Sequence, residues 1–416
     1  MNEKAKLVVI GGGAAGFFCA INAARSNPDL DVTILEKTSK VLSKVKVSGG
    51  GRCNVTHASF EIGEMIKNYP RGANFLKKCF HQFFTTDTIR WFEERGVRLK
   101  TEPDGRMFPV TDTSQTIVDC LMHEVNKYHV QLIMNADVKR LKVGKSSFMI
   151  ELSGGRELPG DYVCVACGGF NKLSMFGWLR ELGHQVQEPV PSLFTFNLPG
   201  HRITQLMGIS VPAVQVKIIG AKQVQTGPML ITHWGLSGPA VLRLSAWGAR
   251  DLAASGWQFG ISINWISALN EIDLREKILE MRQNVASQKI FNKNGFGLPQ
   301  RLWQFLCEES GVTDSMRWAD LPLKVQNQLV KNCCNYEIAV KGKTTFKEEF
   351  VTAGGIQLNE IDPNTMQSRI VPNLFFAGEV MDVDGITGGF NFQHAWTSGW
   401  IAARAISMQS LARTDL

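Results

Sequence analysis

Hydrophobic and polar positions change period several times along this chain, and each change marks an element. The β-branched run Val8-Val9-Ile10 gives way to glycines, then to a helix-compatible stretch from Ala14 to Arg25, then to a second apolar run, Asp31-Val32-Thr33-Ile34-Leu35. That order predicts a strand, a helix and a parallel strand. Helical periodicity returns over Phe75 to Gly96 and over Ser114 to His129, with Ser114 placed as an N-cap. From Val138 the pattern alternates in short runs, Val138 to Val143, Ser147 to Leu152 and Arg156 to Leu158, broken by Gly144 and Gly154-Gly155. A small antiparallel meander is expected there, leading into an apolar strand, Tyr162 to Ala166, that rejoins the parallel sheet.

Past Pro189 the runs Phe194 to Leu198, Val214 to Ile219 and Phe259 to Trp265 read as strands, and Leu274 to Val285, Pro299 to Glu309 and Leu323 to Asn332 as helices. An apolar strand, Asn373 to Glu379, and a helix, Phe392 to Met408, then resume the first pattern. The expected class is α/β: a discontinuous Rossmann-like domain of the two-dinucleotide-binding type, interrupted by a β-barrel-like and helical substrate region. The boundaries placed on it are 1–189 and 352–416 for the first domain, 190–268 for the inserted β-rich part, 269–334 for a helical subdomain and 335–351 for return strands.

A chain of 416 residues, 44% hydrophobic, is long enough for two or three cores. The first strand begins so near residue 1 that no export signal precedes it, and no run of about eighteen apolar residues occurs, so a cytoplasmic protein without a membrane span is expected. Nine scattered cysteines then imply reduced thiols. Cys164 and Cys167 lie in a buried strand, where residues three apart face opposite ways, so core packing is favoured over a redox pair. Cys333-Cys334 ends a helix with no nearby His or Cys partner, which argues against zinc. A net charge of +7 permits a polyanionic substrate without requiring one; the local basic groups are Lys37-Lys40-Lys44-Lys46-Arg52 and Lys341-Lys343-Lys347.

The glycines carry the chemistry. Gly11, Gly13 and Gly16, with Ala14 and Ala15, have the GxGxxG spacing that turns the chain after a strand, brings amides to a pyrophosphate and lets a helix pack closely. Glu36 ends the second strand twenty residues on, where an adenosine ribose would offer its hydroxyls. Ser48-Gly49-Gly50-Gly51-Arg52-Cys53-Asn54 allows a close backbone approach to a ligand, with Arg52 able to neutralise phosphate. Gly378, Glu379 and Asp382 place acids at the sheet's carboxyl edge, and Gly388, Gly389, Phe390, Asn391 and Gln393 open the last helix. That helix N-terminus would favour the anionic reduced form of a flavin. Lys37, Val138, Ala166, Gly168 and Gly169 complete the expected cofactor set. A dinucleotide motif at one end and an acid-bearing glycine strand at the other are what FAD requires when its domain is interrupted.

With Gly105-Arg106-Met107-Phe108-Pro109, Thr232-His233-Trp234-Gly235-Leu236-Ser237-Gly238-Pro239 and Thr352-Ala353-Gly354-Gly355 added, the chain resembles the BaiN/RdsA-type FAD-dependent oxidoreductase family over essentially its whole length. The resemblance implies bound FAD, NADH or NADPH as reductant, and reduction of a conjugated carbon–carbon double bond. Two substrates come with it: uridine in ribosomal RNA, giving dihydrouridine, or an unsaturated 3-oxo bile acid. Hydride transfer from flavin N5 requires an acceptor carbon at about 3.5 Å, a proton donor and a donor to the carbonyl. Cys53, Arg106 and His233 are the candidates for the last two roles. A cation at Arg52 would push the Cys53 thiol toward thiolate, and Trp234 is open to base stacking or to core packing. No second glycine motif follows a strand, so the nicotinamide is expected in the substrate cleft. The first choice is a 23S ribosomal RNA uridine reductase; the alternatives are a steroid-like enone reductase and an RNA-associated protein with structural or sensing FAD.

Overall fold

Leu7 to Ile10 are all buried, and such a run is stable at the centre of a parallel sheet covered on both faces. The computed structural model describes residues 4–145, 147–344 and 351–414. Its contacts divide the chain into two units, Met1–Pro191 with Lys347–Leu416, and Ser192–Phe346.

In the first unit, β1 (Ala5–Ile10), α1 (Ala14–Ser26) and β2 (Leu30–Leu35) form the opening unit, with Ala5 to Ile10 registered in parallel on Leu30 to Leu35. The five-stranded sheet runs Leu374–Phe376, Tyr162–Val165, β1, β2, Gln131–Ile133, every pair parallel. The strand from the C-terminal part therefore rejoins the N-terminal sheet. The last helix, Phe390–Thr414, crosses α1 at Gly399, where a Cβ would lie 2.6 Å from the Ala15 carbonyl oxygen. Residues Val138–Val143, Phe148–Leu152 and Glu157–Gly160 form the antiparallel meander.

Two local expectations fail. The periodic stretch Phe75 to Gly96 is two helices, Ala73–Phe80 and Thr85–Glu93, because the Asp87 carboxylate accepts the Phe84 N–H at 2.9 Å and starts a new helix there. Ser114 does not cap Gln115–Lys127 with its side chain; its hydroxyl donates to the Lys46 carbonyl at 2.7 Å, a partner 68 positions away.

The second unit holds a seven-stranded sheet ordered Tyr336–Lys341, Gln258–Asn264, Ser210–Ile218, Val224–Ile231, Gly235–Ser237, Thr195–Asn197, Lys343–Thr344. The Asn197 N–H donates to the Gly342 carbonyl at 3.1 Å, so the two ends of the sheet approach each other through the Lys341-to-Lys343 connection. Helices Glu271–Asn284, Gln300–Glu309 and Leu323–Cys334 accompany it. Trp303 and Trp318 are fully buried, with ring planes 22° apart. Lys347 and the stretch 345–350 lie outside the described residues, as does part of the expected 335–351 return. Among the described residues no helix is long and apolar enough to cross a membrane.

Candidate functional site

Four glycine segments converge at the carboxyl edge of the parallel sheet. Gly11 has φ +119°, and a Cβ there would lie 2.3 Å from the Ala166 carbonyl oxygen; one at Gly16 would lie 2.0 Å from the Gly11 carbonyl oxygen. Those two glycines fix the turn, and the third leaves it open. Gly13 has no atom within 4 Å of where a Cβ would stand, and α1 begins with no side-chain cap and no acid in its first turn. Its first amides are unpaired within the helix and carry the positive end of the dipole, a cradle suited to a pyrophosphate. On that observation the residues present fit a dinucleotide such as FAD.

Around this cradle the structure gathers much of the expected set. Glu36 Oε2 accepts the Gly12 N–H at 2.9 Å, and Oε1 accepts the Thr38 N–H at 2.9 Å and its hydroxyl at 2.8 Å. A carboxylate offers about four acceptor positions, so one remains for a ribose hydroxyl. Lys37 is exposed, Val138 heads the meander half-buried, and the Ala166 N–H pairs with the Ile10 carbonyl. Glu379 stands against Gly168 and Gly169, accepts the Thr352 N–H at 2.9 Å and pairs with Lys44. A Cβ at Gly378 would lie 2.8 Å from the Ala15 Cβ, which brings the C-terminal segment to the first turn of α1. Asp382 is half-buried on the same segment.

The second glycine element belongs to α2 (Ser43–Gly51), whose helix is interrupted at Ser48 (ψ 151°) before Gly49, Gly50 and Gly51 take φ of 58°, 69° and 84°. Arg52 does not wait for a phosphate. Its Nη1 lies 3.0 Å from Glu102 and 3.6 Å from Asp112, and its guanidinium lies 4.0 Å over the Phe108 ring. Two acids neutralise it, and it places no thiolate at Cys53. That thiol is fully buried, and burial pushes its pKa up to about 12 against a lowering contact from Ser48. Cys53 packs the turn, at φ 59°, and presents no proton to a substrate.

Asn54, with its amide turned so that both ends are satisfied, accepts the Gly389 N–H and donates to the Thr56 carbonyl, each at 2.9 Å. Asn391 closes on both backbone groups of Gly385, at 2.8 and 2.9 Å. Phe390 is 2% exposed, its carbonyl accepting the Tyr69 hydroxyl at 2.7 Å. Gln393, expected at the cofactor, is a core amide: it accepts from Thr56 at 2.6 Å and Thr88 at 3.0 Å and donates to Thr397 at 3.1 Å, fully buried. One turn into the helix, its side chain faces the packed interior.

Arg106 opens the strand Arg106–Pro109, half-exposed and paired with Asp104 at 2.8 Å. It keeps donors for a carbonyl. His233 belongs to the second unit, exposed, with its ring edge-on to Trp234 at 4.3 Å. Trp234 is half-exposed and donates to the Thr195 hydroxyl at 3.2 Å. Cys164 and Cys167 are both free thiols, and the buried Cys164 thiol shares a hydrogen bond with the free thiol of Cys19.

Sequence reading missed the residues that brace the site. Arg71 makes a two-pronged ion pair with fully buried Asp384, next to Gly385. Asp384 stands inside the acid-and-glycine pattern, Lys44 in the first basic group and Thr352 in the Thr352-Ala353-Gly354-Gly355 motif; Arg71 carries no local signal. His57 on β3 (Thr56–His57) stacks on Phe390 and reaches the Gly388 carbonyl.

Residues 5–405 match the model of the HI0933-like protein Rossmann domain. The chain is 31% identical to the ribosomal RNA dihydrouridine synthase of Escherichia coli K12, over 97% of this chain and 98% of that one. It is 28% identical to the 3-dehydro-bile acid delta(4,6)-reductase of Clostridium scindens, over 96% and 98%. Its fold is also that of a flavocytochrome c3 fumarate reductase, with TM-score 0.51 at 15% identity, covering 99% of this chain and 79% of that one.

Proposed function

The chain belongs to the HI0933-like Rossmann family, and on that premise we propose that it is an FAD-dependent reductase of uridine in 23S ribosomal RNA, with NADH or NADPH as reductant. The observation that carries the reading is whole-length similarity to a named ribosomal RNA dihydrouridine synthase. A net charge of +7 accords with an RNA substrate.

When bound, FAD supplies hydride transfer between a nicotinamide and an electron-poor double bond. The chain's own residues do the holding. The Gly11 to Gly16 turn and the first amides of α1 would bind the pyrophosphate, and Glu36 would bind the ribose. Glu379 and Asp382 would take the hydroxyls of the linker. The Gly388-Gly389 turn, which opens the last helix, would meet the ring end. Arg106, half-exposed at the start of the central strand of its small sheet, would bind the carbonyl of the reduced ring; uridine would reach it unstacked, as in a loop or a flipped nucleotide.

The full-length similarity to a bile-acid reductase favours a second reading, an enone reductase acting on a steroid-like molecule. Ribosomal RNA from cells with and without this gene decides between them. Loss of dihydrouridine on deletion supports the first reading. Unchanged RNA, with NADH-dependent turnover of a 3-oxo-4-ene steroid by the purified protein, replaces it with the second. RNA binding that weakens log-linearly with salt separates the first reading from the second.

A further inference from the structure

One peptide unit in the flavin half of the site is gripped at both ends. Gly388 and Gly389 have φ of 133° and 95°, and the plane between them presents its carbonyl to His57 and its N–H to Asn54. His57 Nδ1 lies 3.0 Å from the Gly388 carbonyl oxygen. A carbonyl oxygen only accepts, so Nδ1 carries the hydrogen. The ring stacks on Phe390, centroids 4.6 Å apart and planes 27° from parallel. Its other edge abuts Gly105, where a Cβ would lie 2.5 Å from Nε2, and across the strand pair His57 is registered on Arg106. A single imidazole thus touches the glycine turn before the last helix and the Gly105-Arg106 motif.

A peptide between two glycines rotates at little steric cost, because neither neighbour has a Cβ to oppose it. Without His57 only Asn54 holds it, and it is freer to turn, exchanging carbonyl for N–H at the mouth of the helix. We propose that His57 is a positioning residue that locks this peptide, so that the segment entering the last helix keeps its positive end toward the flavin ring. The inference rests on the reading of the chain as an FAD enzyme but not on its substrate. Burial lowers the His57 pKa below the usual value, with Asp104 and Arg106 as its charged neighbours acting in opposite directions. A neutral ring with its hydrogen on Nδ1 is the form the lock uses.

Reduced flavin carries negative charge at its pyrimidine edge, and a carbonyl swung toward it repels that form more than the oxidised one. The lock therefore affects the preference for reduced over oxidised FAD, which a merely structural residue would leave unchanged. The test measures dissociation constants of oxidised and, anaerobically, reduced FAD for wild type, His57→Phe and His57→Asn. Phenylalanine keeps the stack and removes the donor; asparagine places an N–H near the position of Nδ1. His57→Phe is expected to lower the preference for reduced FAD about tenfold, equivalent to about 30 mV for a two-electron couple, and His57→Asn to return within about threefold of wild type. An unchanged preference in His57→Phe, or an asparagine variant as impaired as the phenylalanine one, overturns the lock. If His57→Phe does not fold, His57→Leu takes its place. Wild type that binds FAD yet leaves ribosomal RNA unmodified removes the substrate reading and leaves the lock standing. Wild type with no affinity for FAD removes both.

Discussion

Two helix N-termini belong to the proposed coenzyme site and are built in opposite ways. At α1 the turn is open: Gly13 meets nothing, and Glu36 engages the loop one residue earlier, at Gly12. At the last helix the turn is filled. A Cβ at Gly389 would lie 2.5 Å from the Thr56 carbonyl, and Asn54, Thr56 and His57 surround it from a segment more than 300 positions earlier. The first terminus needs only local geometry to hold an anion. The second takes its orientation from the tertiary fold, so it can be lost while the helix itself remains.

The comparison breaks most sharply at the first terminus. Gly16→Val drives a side chain into the Gly11 carbonyl, and we expect a loss of more than about 3 kcal/mol of stability in urea unfolding, with no FAD retained. Gly13→Ala has open space and keeps stability within about 1 kcal/mol, while FAD affinity falls about tenfold, because the methyl enters the cradle. Equal destabilisation by the two would refute the open cradle. At the second terminus Gly389→Ala meets both a positive φ and the Thr56 carbonyl; a cost of about 2 to 3 kcal/mol in thermal or urea unfolding is expected.

A smaller effect separates the two by pH. His394, on the last helix, donates through Nε2 to the Gly378 carbonyl at 3.2 Å, and burial lowers its pKa from 6.5 to about 4. As pH falls below 6.5 the unfolded chain binds a proton that the folded chain refuses, so stability declines until about pH 4 and levels off below it. From pH 7 to 5 this group alone removes about 2 kcal/mol. In His394→Gln, which keeps a donor for Gly378, that share of the acid loss disappears; a pH dependence identical to wild type would refute the assignment. Smallest is Arg52→Gln. Its charge is already matched by Glu102 and Asp112 and its side chain is 32% exposed, so stability changes by less than about 1 kcal/mol and FAD affinity by less than about threefold.

Much of this architecture was legible along the chain because its signals are local. The β-branched runs flanking the first glycines, the alternation from Val138 and the apolar run at Leu374 each encode an element through a few neighbouring residues. The failures share a cause. Ser114, Arg52 and Gln393 were read from the chemistry their side chains could offer, and each is occupied by a partner distant in sequence: Lys46, Glu102 and Thr56. Cys53 fails by burial, which its neighbours in sequence do not reveal.

Glycine spacing and hydrophobic period alone determined that a dinucleotide cradle opens the chain and that its sheet is completed from the other end. Which donors and acceptors remain available for a ligand was decided by the fold, since hydrogen bonds and ion pairs form between whatever groups packing brings together. The open turn at Gly13 follows from local backbone geometry; the clamped turn at Gly388-Gly389 exists only because a strand bearing His57 is packed beside it.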